Sequence, residues 1–237
     1  MRADEAKPIL AHLDELRWRI LKAGAAVLGA GIVAFIFSSP LRHIIERPFH
    51  QSDPSAQFQV FGPTEQWGVL MRVAFFGGLI MASPVVLYQI WAFINPALTH
   101  RERRWAVPII STMVVLFLGG VAFGYWTLPR ALGFLLNIFP DVRSDLRLSE
   151  YYSFALRYLL AFGASFLYPV FIFAAAAAGV VTSRQLAKGR RWAVLIVVTG
   201  AALITPTGDA LTLTLLSVPL YLMYEATYWL VRLVLHR

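Results

Sequence analysis

An all-α membrane protein with six spans is the fold this sequence predicts, and three observations predict it. The first is composition: the chain of 237 residues is 58% hydrophobic and 14% charged, with a mean hydropathy of +0.64. A soluble domain of this length needs more polar surface than that. The second is a succession of apolar runs at about 20–37, 67–94, 105–128, 154–181, 192–205 and 211–231. In lipid an open chain satisfies its backbone polar groups by forming helices, so each run reads as a helix. The third is charge placement. With six spans, the side holding the N-terminus carries fourteen basic and six acidic residues, and the other side seven of each. The positive-inside rule then puts both termini in the cytoplasm, and an odd number of spans would erase the asymmetry. The net charge of +8 belongs with the membrane rather than with nucleic acid. No repeat or second domain interrupts the pattern, so residues 1–237 read as one membrane domain.

The elements follow in order. Asp4, Glu5 and Asp14 precede the first run and no small-residue cleavage site follows it, so it reads as a retained anchor. Ahead of it, Pro8–Lys22 is amphipathic. Ile9, Leu13, Leu16 and Ile20 form one stripe; His12, Glu15, Arg19 and Lys22 form another, with Glu15 and Arg19 spaced as an i,i+4 pair. Two readings fit: an interfacial helix that anchors the N-terminus, or a surface on which Glu15 and Arg17 face a docking peptide. Ser39–Gln66 is too long for a turn and carries apolar residues, so it predicts short helices capping the outer side, punctuated by Pro40, Pro48, Pro54 and Pro63. Glu65 and Arg72 flank the start of the second span, where Arg72 can snorkel outward.

Pro84 kinks the second span, which ends in the loop Thr99-His100-Arg101-Glu102-Arg103-Arg104. Glu102 is either a solvated acid in a positive loop or a carboxylate that takes a guanidinium bidentately. The stretch Arg130–Glu150, with Leu132, Phe134, Leu135, Leu136, Ile138 and Phe139, predicts a second set of cap helices after the third span. Arg157 sits near the start of the fourth. The fifth run, Trp192–Thr205, has 14 residues, or roughly 21 Å of helix against a hydrocarbon core of about 30 Å. The sixth has a clean stretch only from Leu211 to Tyr224. The two are expected to form a short hairpin around Pro206-Thr207-Gly208-Asp209 that thins the bilayer. Glu225, an acid inside an apolar helix, is a functional candidate by default. Its position before Arg232 favours a local pairing.

Enzyme chemistry finds no support. There is no cysteine, hence no disulfide, thiol nucleophile or thiolate metal site. There is no His-Glu-x-x-His, no Gly-x-Ser-x-Gly, no phosphate-binding glycine loop and no histidine in any run. Asp209 is alone at its hairpin. No cofactor or metal is expected. A small multispan transporter or permease subunit is the alternative class, but it would need ionisable groups near mid-membrane, and the centres of the six runs carry none.

Several motifs, in order, resemble one family. His12-Leu13-Asp14-Glu15-Leu16-Arg17 is similar to the N-terminal His-Leu-x-Glu-Leu-Arg signature of the TatC family, the signal-peptide receptor subunit of twin-arginine translocation. Pro63-Thr64-Glu65-Gln66-Trp67 is similar to its entry to the second span, and Ser83 to Arg104 to its longest motif. Phe162-Gly163-Ala164-Ser165-Phe166 with Pro169, Thr205 to Asp209, and Pro219 with Tyr224-Glu225 continue the likeness over about Leu10 to Arg232.

The resemblance implies a concave, cup-like six-span receptor in the cytoplasmic membrane, which binds twin-arginine signal peptides of folded cargo. It implies single-span TatA- and TatB-type partners, a role for the proton-motive force, and self-association as an option. It implies signal recognition by Glu15, Arg17 and Glu102, and structural or partner-contact roles for Pro48, Glu65, Asp209 and Glu225. Two positions depart from the family pattern. Leu167 stands where a Glu or Gln is usual, and Leu213 where a Gln is usual.

Overall fold

The computed structural model describes residues 9–52, 57–94, 106–137, 146–177, 179–204 and 210–234. Among these, ten helices and one two-stranded pairing appear: α1 Ile9–Ile36, α2 Ser38–Ser52, β1 Phe58–Gln59, α3 Pro63–Met81, α4 Ser83–Ile94, α5 Ala106–Leu136, β2 Leu146–Arg147, α6 Leu148–Ser165, α7 Tyr168–Ala177, α8 Ser183–Lys188, α9 Arg190–Ile204 and α10 Ala210–Val234. Four helices are long and apolar enough to cross a bilayer, or five spans if the bent pair α3–α4 counts as one. The chain is thus an all-helical polytopic membrane protein. With 15 residues, or about 22 Å, α9 falls short of that length, as its run of apolar residues predicts.

The amphipathic segment before the first run is not a separate interfacial helix. It is the first turns of α1, which continues unbroken to Ile36. Leu13 and Ile20 of its apolar stripe are exposed, while Glu15 and Arg19 of its polar stripe are partly covered by the protein. The reversal follows from the solvent: lipid accepts leucine, and the protein interior supplies partners for the polar groups.

Two spans are broken. α3 and α4 meet at Ala82 with a bend of 56°. Pro84 lacks the N–H that would continue the ladder, so the second span starts a new helix there. α6 and α7 are likewise interrupted at Phe166–Leu167, just before Pro169.

Helix crossings are made by glycine. A Cβ on Gly78 of α3 would lie 2.6 Å from the Gly31 backbone of α1. A Cβ on Gly120 of α5 would lie 2.7 Å from the Phe162 carbonyl of α6. In lipid no hydrophobic force draws helices together, so contact this close is what supplies the dispersion energy. The α5–α6 seam is closed by a buried hydrogen bond of 3.0 Å between Thr127 Oγ1 and Tyr158 Oη.

The outer side differs from expectation in detail. α2 is the anticipated cap helix, but Leu132, Phe134, Leu135 and Leu136 form no separate one; they prolong α5 past Pro129. Arg130 stabilises that prolongation by stacking on Trp126, 4.1 Å from its ring centroid, and donating to its carbonyl. Ile138, Phe139, Pro140 and Pro54 lie outside the described residues. The β1–β2 pairing, parallel and two residues long, joins the two outer segments and gave no signal in the sequence.

Pro48 does not punctuate α2 but lies inside it, buried. Having no N–H, it leaves the Ile44 carbonyl without its helical donor. The Tyr125 hydroxyl donates to that oxygen at 2.8 Å, and the Tyr151 hydroxyl donates to the next one, Ile45. Pro48 thus frees the Ile44 acceptor by which α2 is pinned to α5, and the Tyr151 bond to Ile45 pins it to α6. Tyr125→Phe is expected to lower stability in detergent by about 1 kcal/mol. An unchanged thermal unfolding midpoint would show that the Ile44 carbonyl needs no partner.

Candidate functional site

The basic-loop side of the protein is built from the start of α1, the end of α4 and the α7–α10 group. On α1, residues four apart share a face, and this brings Glu15 and Arg19 together. Arg19 donates to Glu15 Oε1 through both Nη2, at 2.6 Å, and Nε, at 3.2 Å. His12 Nδ1 lies 3.7 Å from Glu15 Oε2, and its ring stacks on Phe93 of α4 at 4.3 Å. Glu15 and Arg19 are both largely covered, with side-chain exposures of 20% and 23%. The stripe is therefore a polar seam between α1 and the end of α4.

Arg17 is not part of that seam. Two residues from Glu15 means about 200° around the helix, and Arg17 is exposed. The structure separates the two residues that the motif pairs. Glu102 lies outside the described residues, in the segment 95–105 that follows α4 directly after the Phe93 contact. The seam thus stands beside the entry to the segment that carries Glu102.

Glu225 has a partner, but not the expected one. Arg190 at the start of α9 donates to both its oxygens, with Nε to Oε2 at 3.1 Å, and also stacks on Tyr228 at 4.6 Å. Arg232 instead donates to the Tyr228 hydroxyl at 3.2 Å. With its charge matched across helices, Glu225 does not end α10, which runs for 25 residues. Hence the last helix is not short, and only α9 is. Asp209 lies outside the described residues.

On the opposite side Glu65 is a fastener rather than a helix flank. Its side chain is 4% exposed. It accepts from Phe61 N and Ser149 N, both at 2.9 Å, and from Arg147 Nε at 3.1 Å. Arg72 does not simply snorkel outward. It donates to Ser149 O and Ser153 Oγ of α6, at 3.0 and 2.7 Å. Arg157 bonds within its own helix, to Ser153 O.

Two departures from the family pattern point inward. Leu167 is buried among Leu87, Trp91, Met113, Phe117 and Val170, and Leu213 packs against the largest core cluster. Among the described residues no group of three or more His, Cys, Asp or Glu could hold a metal ion.

Sequence reasoning missed the stacking of His12 on Phe93, the pairing of Arg190 with Glu225 and the Arg147 and Ser149 donors to Glu65. Only the spacing of His12, Glu15 and Arg19 could have pointed to any of them.

The model of the family "Sec-independent protein translocase protein (TatC)" matches residues 11–219. A Sec-independent protein translocase protein TatC of Xylanimonas cellulosilytica is 38% identical over 225 residues, covering 92% of this chain and 80% of that protein. One from Aquifex aeolicus is 37% identical over 231 residues, covering 95% of each. The crystal structure of a twin-arginine translocase receptor, TatC, superposes with a TM-score of 0.80 at 36% identity, covering 94% of this chain and 98% of that one.

Proposed function

The chain belongs to the TatC family of Sec-independent protein translocases, and from that premise we propose that it is the receptor that binds twin-arginine signal peptides on folded cargo. The observation that carries the reading is the polar seam of Glu15, Arg19 and His12 against Phe93. It offers a carboxylate at the surface edge of the helices, already arranged around a guanidinium. An incoming arginine exchanges with Arg19 on Glu15 and takes up Glu102 of the adjoining segment. The exchange keeps the count of charge-assisted hydrogen bonds, so it costs little. Lysine, a point charge without the planar fork, cannot reproduce them. Arg17, exposed on the other face of α1, offers guanidinium donors to backbone oxygens of the approaching peptide. The peptide's apolar stretch then lies along the concave face of the spans, where burial adds affinity.

The same reading sets the chain in the cytoplasmic membrane with six spans and both termini inside. TatA- and TatB-type single-span proteins assemble with it, and the proton-motive force drives transport. Pro48 and Glu65 then keep the outer side fixed while Asp209 and Glu225 frame the α9–α10 hairpin.

The test is binding of a fluorescent twin-arginine signal peptide to the purified protein, beside a twin-lysine control. Glu102→Ala and Glu15→Gln are each expected to weaken arginine-peptide binding by about tenfold or more, the worth of a hydrogen bond to a charged group. Equal binding of the two peptides, or of the variants, would sink the proposal.

A further inference from the structure

A cavity of about 460 Å³ opens among α7, α8, α9 and α10. Its wall includes Tyr168, Ile172, Trp192, Val197, Ala201 and Leu220, and is almost wholly apolar. The hydroxyls of Tyr168 and Tyr224 are turned away to protein carbonyls, those of Leu220 and Leu186. The volume falls within the range of ligand pockets, about 300–1,000 Å³.

The chain immediately beside the lining residues Gln185, Gly189 and Trp192 is basic. Arg184, Lys188, Arg190 and Arg191 fall within eight residues, and no acid occurs between Thr182 and Gly208. Arg190 is spent on Glu225. Arg184, Lys188 and Arg191 are exposed and have no ion-pair partner among the described residues. Trp192, 67% exposed, follows directly, and tryptophan favours the level of lipid headgroups. Below it runs the short α9, beside which lipid must adapt to a helix of about 22 Å.

Unpaired, exposed cations next in the chain to the lining of an apolar hollow, with an exposed tryptophan beside them, are complementary to one molecule class. We propose that this hollow holds an anionic phospholipid, with its phosphate on Lys188 and Arg191 and one acyl chain between α9, α7 and α10. Arg184 adds a third cation at the rim. The lipid would cover the face of α9 that the protein leaves open, and would fix the height of this short helix in the bilayer.

The test uses the full chain, purified and delipidated, titrated with phosphatidylglycerol or phosphatidylcholine of identical chains and followed by native mass spectrometry. Phosphatidylglycerol is expected to bind the more tightly. Each basic residue near a membrane surface is worth about fivefold, so the double variant Lys188→Gln, Arg191→Gln should lose about 25-fold for phosphatidylglycerol and nothing for phosphatidylcholine. Both residues are exposed, so folding is not at stake. Gly200 lines the cavity, and a Cβ there meets nothing within 4 Å. Gly200→Phe should fill the hollow and weaken both lipids. Equal affinity for the two lipids, or a double variant indistinguishable from the parent, would overturn the proposal. So would a Gly200→Phe variant that keeps its lipid but loses a dimer, which would make the hollow an interface between copies.

Discussion

Gly120→Val is expected to force α5 away from α6, while Gly119→Val, one residue earlier, leaves the protein intact. A Cβ at position 120 would come within 2.7 Å of the Phe162 carbonyl oxygen and 2.9 Å of the Phe166 side chain; at 119 it meets nothing within 4 Å. Overpacking costs about 1–3 kcal/mol where side chains can give way. Here the obstacle includes backbone, which cannot turn aside, so the cost lies at or above the top of that range. The same crossing carries the buried Thr127–Tyr158 hydrogen bond and the ring contacts of Phe123 with Phe162 and Phe166, and these separate together. Size-exclusion profiles and thermal unfolding of the two variants in detergent provide the check. If they behave alike, the crossing is not sustained by close backbone contact.

Glu65→Ala is expected to unfasten the outer ends of α3 and α6. It removes the acceptor of two backbone N–H groups and one guanidinium in a single step, and a buried donor left without an acceptor costs its full desolvation. Arg147→Ala is the informative contrast. Its side chain is 46% exposed, so water replaces the lost partner and the two backbone donors stay satisfied. We expect low yield and rapid proteolysis of the outer segments for Glu65→Ala, and near-parental behaviour for Arg147→Ala. Were the two equally mild, the clamp would be ornamental; were they equally severe, the ion pair rather than the backbone donors would be what holds it.

The spans were legible because lipid imposes a simple rule: apolar runs of sufficient length become helices. The shortness of α9 was legible for the same reason, and the kink at Pro84 because proline has no N–H to continue a helix. What escaped was whatever depends on residues far apart in sequence. Glu65 stood out as an acid at a helix start, yet two of its three donors, Arg147 and Ser149, lie more than 80 residues away. Glu225 stood out too, but its nearest cation in sequence was not its nearest in space. Of the expected recognition residues, Glu15 sits in a seam that the i,i+4 pattern announced, and Arg17 lies on another face. The direction in which the seam points could not be read, because amphipathicity reports two faces without saying which of them meets lipid.

The Glu65 clamp also has a consequence in time. Ser149 follows Glu65 by 84 residues, and at about 5–20 residues per second a ribosome takes about 4–17 s to supply them. Through that interval the new α3 carries a carboxylate whose later partners do not yet exist. Its outer end must stay wet until α6 has been made, so closure of the clamp marks when the two helices have both been delivered.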